Sequence, residues 1–284
     1  MRILVLGASG QLGTDLVRAG VAASYDVTGL THGDCDVTNV ASVRDALQAR
    51  QPDVVVNCAA WTKVDGAEAH EPEATRINGA GAGNVATVCA ELGVRLCHLS
   101  TDYVFDGSAS EPIREDTNPN PVSAYGRSKL AGERAVRDVL GDGAIIVRTA
   151  WLYGADGPNF VLTMLKLARE RGELRVVADQ VGSPTWAGDL APAILRLLEH
   201  DTARGIFHIT NSGETSWHGF AVAIMERVGL TAVPVHAITT SEYPTPAVRP
   251  RYSVLDNTRW CSLGEPPLPP WRDGLAGYLR TSGA

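Results

Sequence analysis

Ile3-Leu4-Val5-Leu6-Gly7-Ala8-Ser9-Gly10-Gln11-Leu12-Gly13 decides the fold. Four consecutive apolar residues are the pattern of a strand buried on both faces, as at the centre of a parallel sheet. The glycines that follow are spaced G-x-x-G-x-x-G and lead into helix-compatible residues 14–19. In a strand–turn–helix setting each has a task. Gly7 permits the tight turn, Gly10 lets a pyrophosphate approach the backbone, and Gly13 lets the helix pack close to the strand. The helix N-terminus then offers free N–H groups and its positive dipole end to the phosphates.

Outward from that turn the same alternation repeats. Residues 25–30 read as a second strand, 53–60 as a third ending in small residues, 94–99 as a fourth and 143–148 as a fifth. Helices are predicted between them, including one long alanine-rich helix over 72–92 that contains Asn78. This order predicts an α/β fold with a doubly wound parallel sheet of the Rossmann type, with residues 1–150 as the dinucleotide-binding domain. After Gly154 the rhythm loosens. Helices are expected over 159–171, 187–200 and 217–228, and strands over 174–178 and 205–210. Two Pro-rich stretches, 244–250 and 266–270, read as surface loops. Residues 151–284 therefore read as a smaller, mainly substrate-binding lid, with some elements returning to the first domain.

The second strand ends in Thr31-His32-Gly33. A turn that selects NAD usually carries Asp or Glu there, on the ribose hydroxyls. No carboxylate stands at that position to repel a 2′-phosphate, and no arginine stands there to attract one. NADPH and NADH both remain open. Asp36 and Val37 follow where an adenine would lie, and Thr38 or Asn39 caps the next helix.

The chemistry is carried by Tyr125-Gly126-Arg127-Ser128-Lys129. Residues four apart share one helix face, so phenol and ammonium stand one above the other. A phenol titrates near ~10, and a neighbouring ammonium favours its anion, so Lys129 is expected to lower the pKa of Tyr125. Such a phenol can exchange a proton with a substrate oxygen. Thr101 stands at the carboxyl end of the fourth strand, where parallel sheets bind ligands, and its hydroxyl can hold that oxygen.

Composition narrows the class. The chain has 284 residues, 44% hydrophobic and 20% charged, as in an ordinary globular protein. A net charge of -7 without a basic run argues against a nucleic-acid surface. Five scattered cysteines show no metal-ligand spacing, and the seven histidines no clustering, so no metal site is expected. His98 reads as structural. A reducing, cytoplasmic setting is expected, with no leader peptide and no membrane span.

The motifs Gly7-x-x-Gly10-x-x-Gly13, Asn57-Cys58-Ala59-Ala60, Ser100-Thr101-Asp102-Tyr103-Val104-Phe105 and Tyr125-x-x-x-Lys129 resemble the extended short-chain dehydrogenase/reductase superfamily. Within it, Ser128-Lys129-Leu130-Ala131-Gly132-Glu133, Arg148-Thr149-Ala150-Trp151-Leu152-Tyr153, Asp179 to Thr185 and Tyr243 to Pro250 resemble the dTDP-4-dehydrorhamnose reductase family. The resemblance runs almost end to end. It implies NAD(P)H-dependent reduction of the C4 ketone of dTDP-4-dehydro-L-rhamnose, with a nucleotide sugar as substrate and a monomer or homodimer as the working form. It further implies Tyr125 as proton donor, Lys129 as its partner and a cofactor-ribose ligand, and Thr101 beside the ketone. Trp151 is implied to pack on the deoxysugar, with Asp102 nearby. Gly10, Gln11 and Leu12 are implied under the pyrophosphate and Asp36 and Val37 at the adenine. Thr31 stands in place of an acidic residue seen in some relatives, and Ala60, Trp61, Thr62 and the Leu99 backbone follow the cofactor. Some relatives hold Mg2+ between subunits through a carboxylate near Asp15, and a single aspartate gives that no support here. Two other readings remain: a reductase of another dTDP-4-keto-6-deoxysugar, such as a dihydrostreptose donor, which shares every motif, and a non-catalytic regulatory subunit, which keeps the nucleotide fold but has no chemical reason to keep Thr101, Tyr125 and Lys129 together. Arg249 and Arg251 are read evenly as diphosphate clamps or solvated loop charges.

Overall fold

The computed structural model describes residues 1–282. A six-stranded parallel sheet forms its centre, built from β1 (Arg2–Leu6), β2 (Asp26–Leu30), β3 (Val54–Asn57), β4 (Arg95–Thr101), β5 (Ile145–Thr149) and β6 (Gly205–His208). The order across the sheet is β6-β5-β4-β3-β1-β2. The chain runs outward from β1 to β2, then crosses back to β3 on the other side of β1. That reversal is a topological switch point, and the crevice above the carboxyl ends of β1 and β3 is where such sheets bind ligands.

The apolar runs sort by parity, as a strand period of two demands. Ile3 and Val5 join Val54, Val56, Leu99 and Val147 on one face, under the helices Gln11–Ala22 and Ala187–Glu199. Leu4 and Leu6 join Val55, Leu96 and Ile146 on the other, against the helices Val40–Arg50 and Gly81–Leu92. A further core lies outside these layers, where Tyr153, Met164, Phe220, Ile224, Trp271 and Tyr278 pack together.

The parallel α/β sheet is as expected. The single helix expected over 72–92 is helical but not uniform, because a π-helical turn at Arg76–Ala80 separates Glu71–Thr75 from Gly81–Leu92. π-turns inside helices are frequent at functional sites. Asn39, not Thr38, caps Val40–Arg50, accepting from Ala41 N at 3.0 Å. The strand Leu174–Val177 pairs in parallel with Val235–Ile238, a strand that the sequence did not announce. Leu268–Pro270, expected as loop, is a short strand beside Asn211–Ser212. Among the described residues no helix is long and apolar enough to cross a membrane.

Candidate active site

Ser123 caps the helix Ala124–Leu140 by accepting from Gly126 N at 3.1 Å. Gly126 lets this helix sit against the turn after β4: a Cβ there would fall 2.1 Å from Tyr103 O. The close approach brings Tyr125 to the end of β4. Its phenol faces the Thr101 hydroxyl, and its ring meets Tyr103 edge-on at 5.5 Å. Thr101 Oγ1 in turn donates to Asp102 Oδ1 at 2.9 Å and accepts from Tyr103 N at 3.2 Å.

The direction of the Tyr125 shift differs from the expectation. Burial and the nearby Asp102 carboxyl push the phenol up to about 12, and the Thr101 hydroxyl only partly offsets this. Lys129 does not depress it, because its Nζ donates to Leu99 O at 2.6 Å. The phenol therefore stays protonated at neutral pH, which suits a proton donor. Lys129 is 3% exposed, and burial pulls its ammonium down to about 8, against the opposing effect of Glu133. Burial raises the Asp102 carboxyl to about 6. His98 is buried and neutral, held well below its usual range by burial and by Lys129.

The glycine turn lies beside this group. Gly7 has φ +76°, and a Cβ there would fall 2.7 Å from Ala59 N, so the turn abuts the end of β3 just before Ala60. A Cβ on Gly13 would fall 2.3 Å from Gly7 O. Gly10 begins the helix Gln11–Ala22 without a side-chain cap, so the first-turn N–H groups around Gln11 and Leu12 are free for an anion. The cradle thus fits a dinucleotide pyrophosphate. Trp61 is held next to it: Asn78 accepts from Trp61 N at 2.8 Å and donates to Trp61 O at 3.1 Å. Asn78 also donates to Ser128 Oγ at 2.8 Å, tying the Ala60-Trp61-Thr62 segment to the helix that carries Tyr125.

At the end of β2 the absence of a carboxylate is a feature of sequence position only. The chain turns back so that Asp34 Oδ2 accepts from Thr31 N at 2.9 Å and Thr31 Oγ1 at 2.6 Å. A negative charge therefore does stand beside Thr31. Asp36 accepts from Thr38 N and Oγ1, while Val37 is buried against the Gly81–Leu92 helix.

Trp151 leaves β5 with φ +46°, a left-handed conformation that is costly for a bulky residue and clusters at functional sites. Its indole stacks on Trp217 at 3.5 Å and 2° between planes. Trp217 was not among the predicted residues. Its only signal was an aromatic ring at the start of a helix, which reads equally as core. Arg249 is held by Asp65 through two contacts of 2.8 and 3.0 Å, which ties the 244–250 segment to the short helix Val64–Ala69 that follows β3. Asp65 thus joins the site's surroundings, also unannounced by the sequence. Among the described residues no group of three or more His, Cys, Asp or Glu could hold a metal ion, and Asp15 is paired with Arg18 at 2.7 Å.

The family model described as RmlD substrate binding domain matches residues 1–283. The chain belongs to this family. It is similar to a Streptomyces griseus protein named dTDP-4-dehydrorhamnose reductase, 47% identical over 96% of this chain and 91% of that one. It is similar to a Streptomyces niveus dTDP-4-keto-6-deoxy-D-glucose reductase, 43% identical over 96% of this chain and 95% of that one. The crystal structure of Bacillus anthracis dTDP-4-dehydrorhamnose reductase in complex with NADP superposes with a TM-score of 0.94, at 39% identity and 99% coverage of both chains.

Proposed function

We propose that the chain is an NAD(P)H-dependent reductase that converts dTDP-4-dehydro-L-rhamnose to dTDP-L-rhamnose. The observation that carries this reading is the meeting of Thr101, Tyr125 and Lys129 at the carboxyl end of β4. When bound, the reduced nicotinamide supplies hydride to C4 of the sugar. The chain's own residues handle the oxygen. Thr101 holds the ketone oxygen, and Tyr125, protonated at neutral pH, gives its proton to the alkoxide that develops. Lys129 adds a positive field in a site where burial strengthens it. Gly7, Gly10, Gln11, Leu12 and Gly13 cradle the pyrophosphate. Thr31, Asp36 and Val37 meet the adenosine end, and Ala60, Trp61, Thr62 and the Leu99 backbone follow the rest. Trp151 and Asp102 wall the sugar. Residues 1–150 hold the cofactor, and 151–284 supply most of the sugar contacts while returning β6 to the sheet.

Asp34 beside Thr31 leaves NADH as usable as NADPH. Purified protein is expected to consume either cofactor's absorbance with dTDP-4-dehydro-L-rhamnose, and no consumption with both would overturn the reading. Any ketone reduction also sets aside a non-catalytic regulatory role. A second reading keeps the chemistry and changes the sugar, as similarity to the Streptomyces niveus reductase permits. A panel of dTDP-4-keto-6-deoxysugars separates the two by kcat/KM.

A further inference from the structure

Lys129 and Glu133 lie one turn apart on the same helix, and both are buried, at 3% and 2% exposure. They dock on consecutive residues of β4. Lys129 Nζ donates to Leu99 O at 2.6 Å, and Ser100 Oγ donates to Glu133 Oε1 at 2.5 Å. Glu133 also takes both arms of Arg148, at 2.8 Å from Nε and 2.6 Å from Nη2. Ser100, Arg148 and His208 are register partners across β4, β5 and β6. Arg148 Nη1 lies 3.4 Å from His208 Nε2, and His208 Nδ1 lies 3.0 Å from Ile113 O. A carbonyl only accepts, so the His208 proton sits on Nδ1 and Nε2 accepts from Arg148. A polar row, charged as far as Arg148, thus runs from the lysine across three strands.

Replacing a buried ion pair by apolar residues is often neutral or stabilising, so core stability is a weak reason for a Glu–Arg pair at this place. We infer that Glu133 is a positioning residue for Lys129: its carboxylate, pinned by Ser100 and Arg148, keeps the buried ammonium charged and aimed at Leu99. This rests on the proposed role of Lys129. The other groups linked to the ammonium are His98 from β4 and Cys58 after β3, with Tyr125 one turn back on its own helix and Arg148 of β5 on the far side of Glu133; Asp102 and Tyr103 follow in the turn after β4. His98 is neutral, and burial pushes the Cys58, Tyr125 and Tyr103 groups up, so they too are neutral at pH 7. Asp102 acts on Tyr125 and Tyr103 instead. Glu133 is the largest influence opposing burial on Lys129.

The chain has only three lysines, Lys63, Lys129 and Lys166, so Lys129 can be followed directly. Protein labelled with 13C at lysine Cε is titrated by NMR without cofactor, beside the pH profile of kcat/KM. In Glu133→Gln the Lys129 titration and the alkaline limb of the profile should both move down by about one pH unit, a ~10-fold change in its proton affinity. Should that variant fold poorly, Glu133→Gln/Arg148→Met removes both charges; because the Arg148 cation that repelled the ammonium is lost as well, the titration should still move down, but by less than in the single variant. Glu133→Asp should restore the wild-type titration. A titration unmoved in the single and double variants would overturn the inference, even if turnover or stability fell. Failure of the wild-type protein to reduce any ketone would sink the functional reading and leave the NMR result standing.

Discussion

Lys129 and Arg148 are both cations buried in the same core, one on the helix and one on the strand beside it, and the fold treats them in opposite ways. Arg148 is 1% exposed and has Glu133 on two sides, His208 on a third and the face of Phe105 at 5.1 Å. Lys129 has one carbonyl. A guanidinium cannot lose its proton in a protein, whereas an ammonium deprived of water can. The fully satisfied cation is fixed in charge and place. The under-satisfied one is left near its titration point, next to the phenol and the glycine turn. Partial satisfaction, not burial, marks the side of this core to which the proposed chemistry is assigned.

The comparison can be broken most severely beside Lys129. Tyr125→Phe keeps the ring and removes the proposed donor, so turnover should fall ~100- to 10,000-fold with the melting temperature and NADPH affinity nearly unchanged. Near-normal turnover would mean that the chemistry lies elsewhere. On the Arg148 side the effect should be on stability. Arg148→Met strands the Glu133 carboxylate in the core and should cost about 3–5 kcal/mol in urea unfolding. A loss under ~1 kcal/mol would show that the pair is not isolated from water.

Lys129→Met sharpens the contrast by reversing its sign. Turnover and NADPH affinity should both drop, while stability stays level or rises because a desolvated ammonium is gone. In the wild type, activity should decline as pH rises through about 8, where the ammonium is lost, and Lys129→Met should abolish that limb. A limb that survives the substitution belongs to another group. The smallest effect is expected at an exposed cation. Arg44 reaches Glu91 at 2.8 Å on the surface, and Arg44→Ala should change stability by less than ~1 kcal/mol and leave turnover alone. A larger loss would erase the distinction between buried and exposed partners.

Much of this was legible before any coordinates. The strand Ile3 to Leu6 with its glycine spacing announces the switch point, because sterics at Gly7 and Gly13 leave few alternatives. The four-residue interval from Tyr125 to Lys129 likewise implies a shared face. What was not legible depends on contacts distant in sequence. Asp34 returns to Thr31 through a turn, so a carboxylate missing from one position reappears in space. Trp217 meets Trp151 across 66 residues of chain, and Asp65 meets Arg249 across |i−j| of 184. The direction of the Tyr125 shift depended on burial and on where Lys129 Nζ turned, neither of which spacing encodes.

The strand β6 has a consequence in time. It is the edge of the sheet, paired only with β5, yet the ribosome makes it more than fifty residues after β5 is complete. Until then β5 presents an open edge, and Arg148 lacks His208. A nascent chain therefore has a window in which the first half is synthesised but unsealed, with a bare strand able to pair with the wrong neighbour. The late strand acts as the closing seam, which ties completion of the sheet to emergence of the C-terminal third from the ribosome.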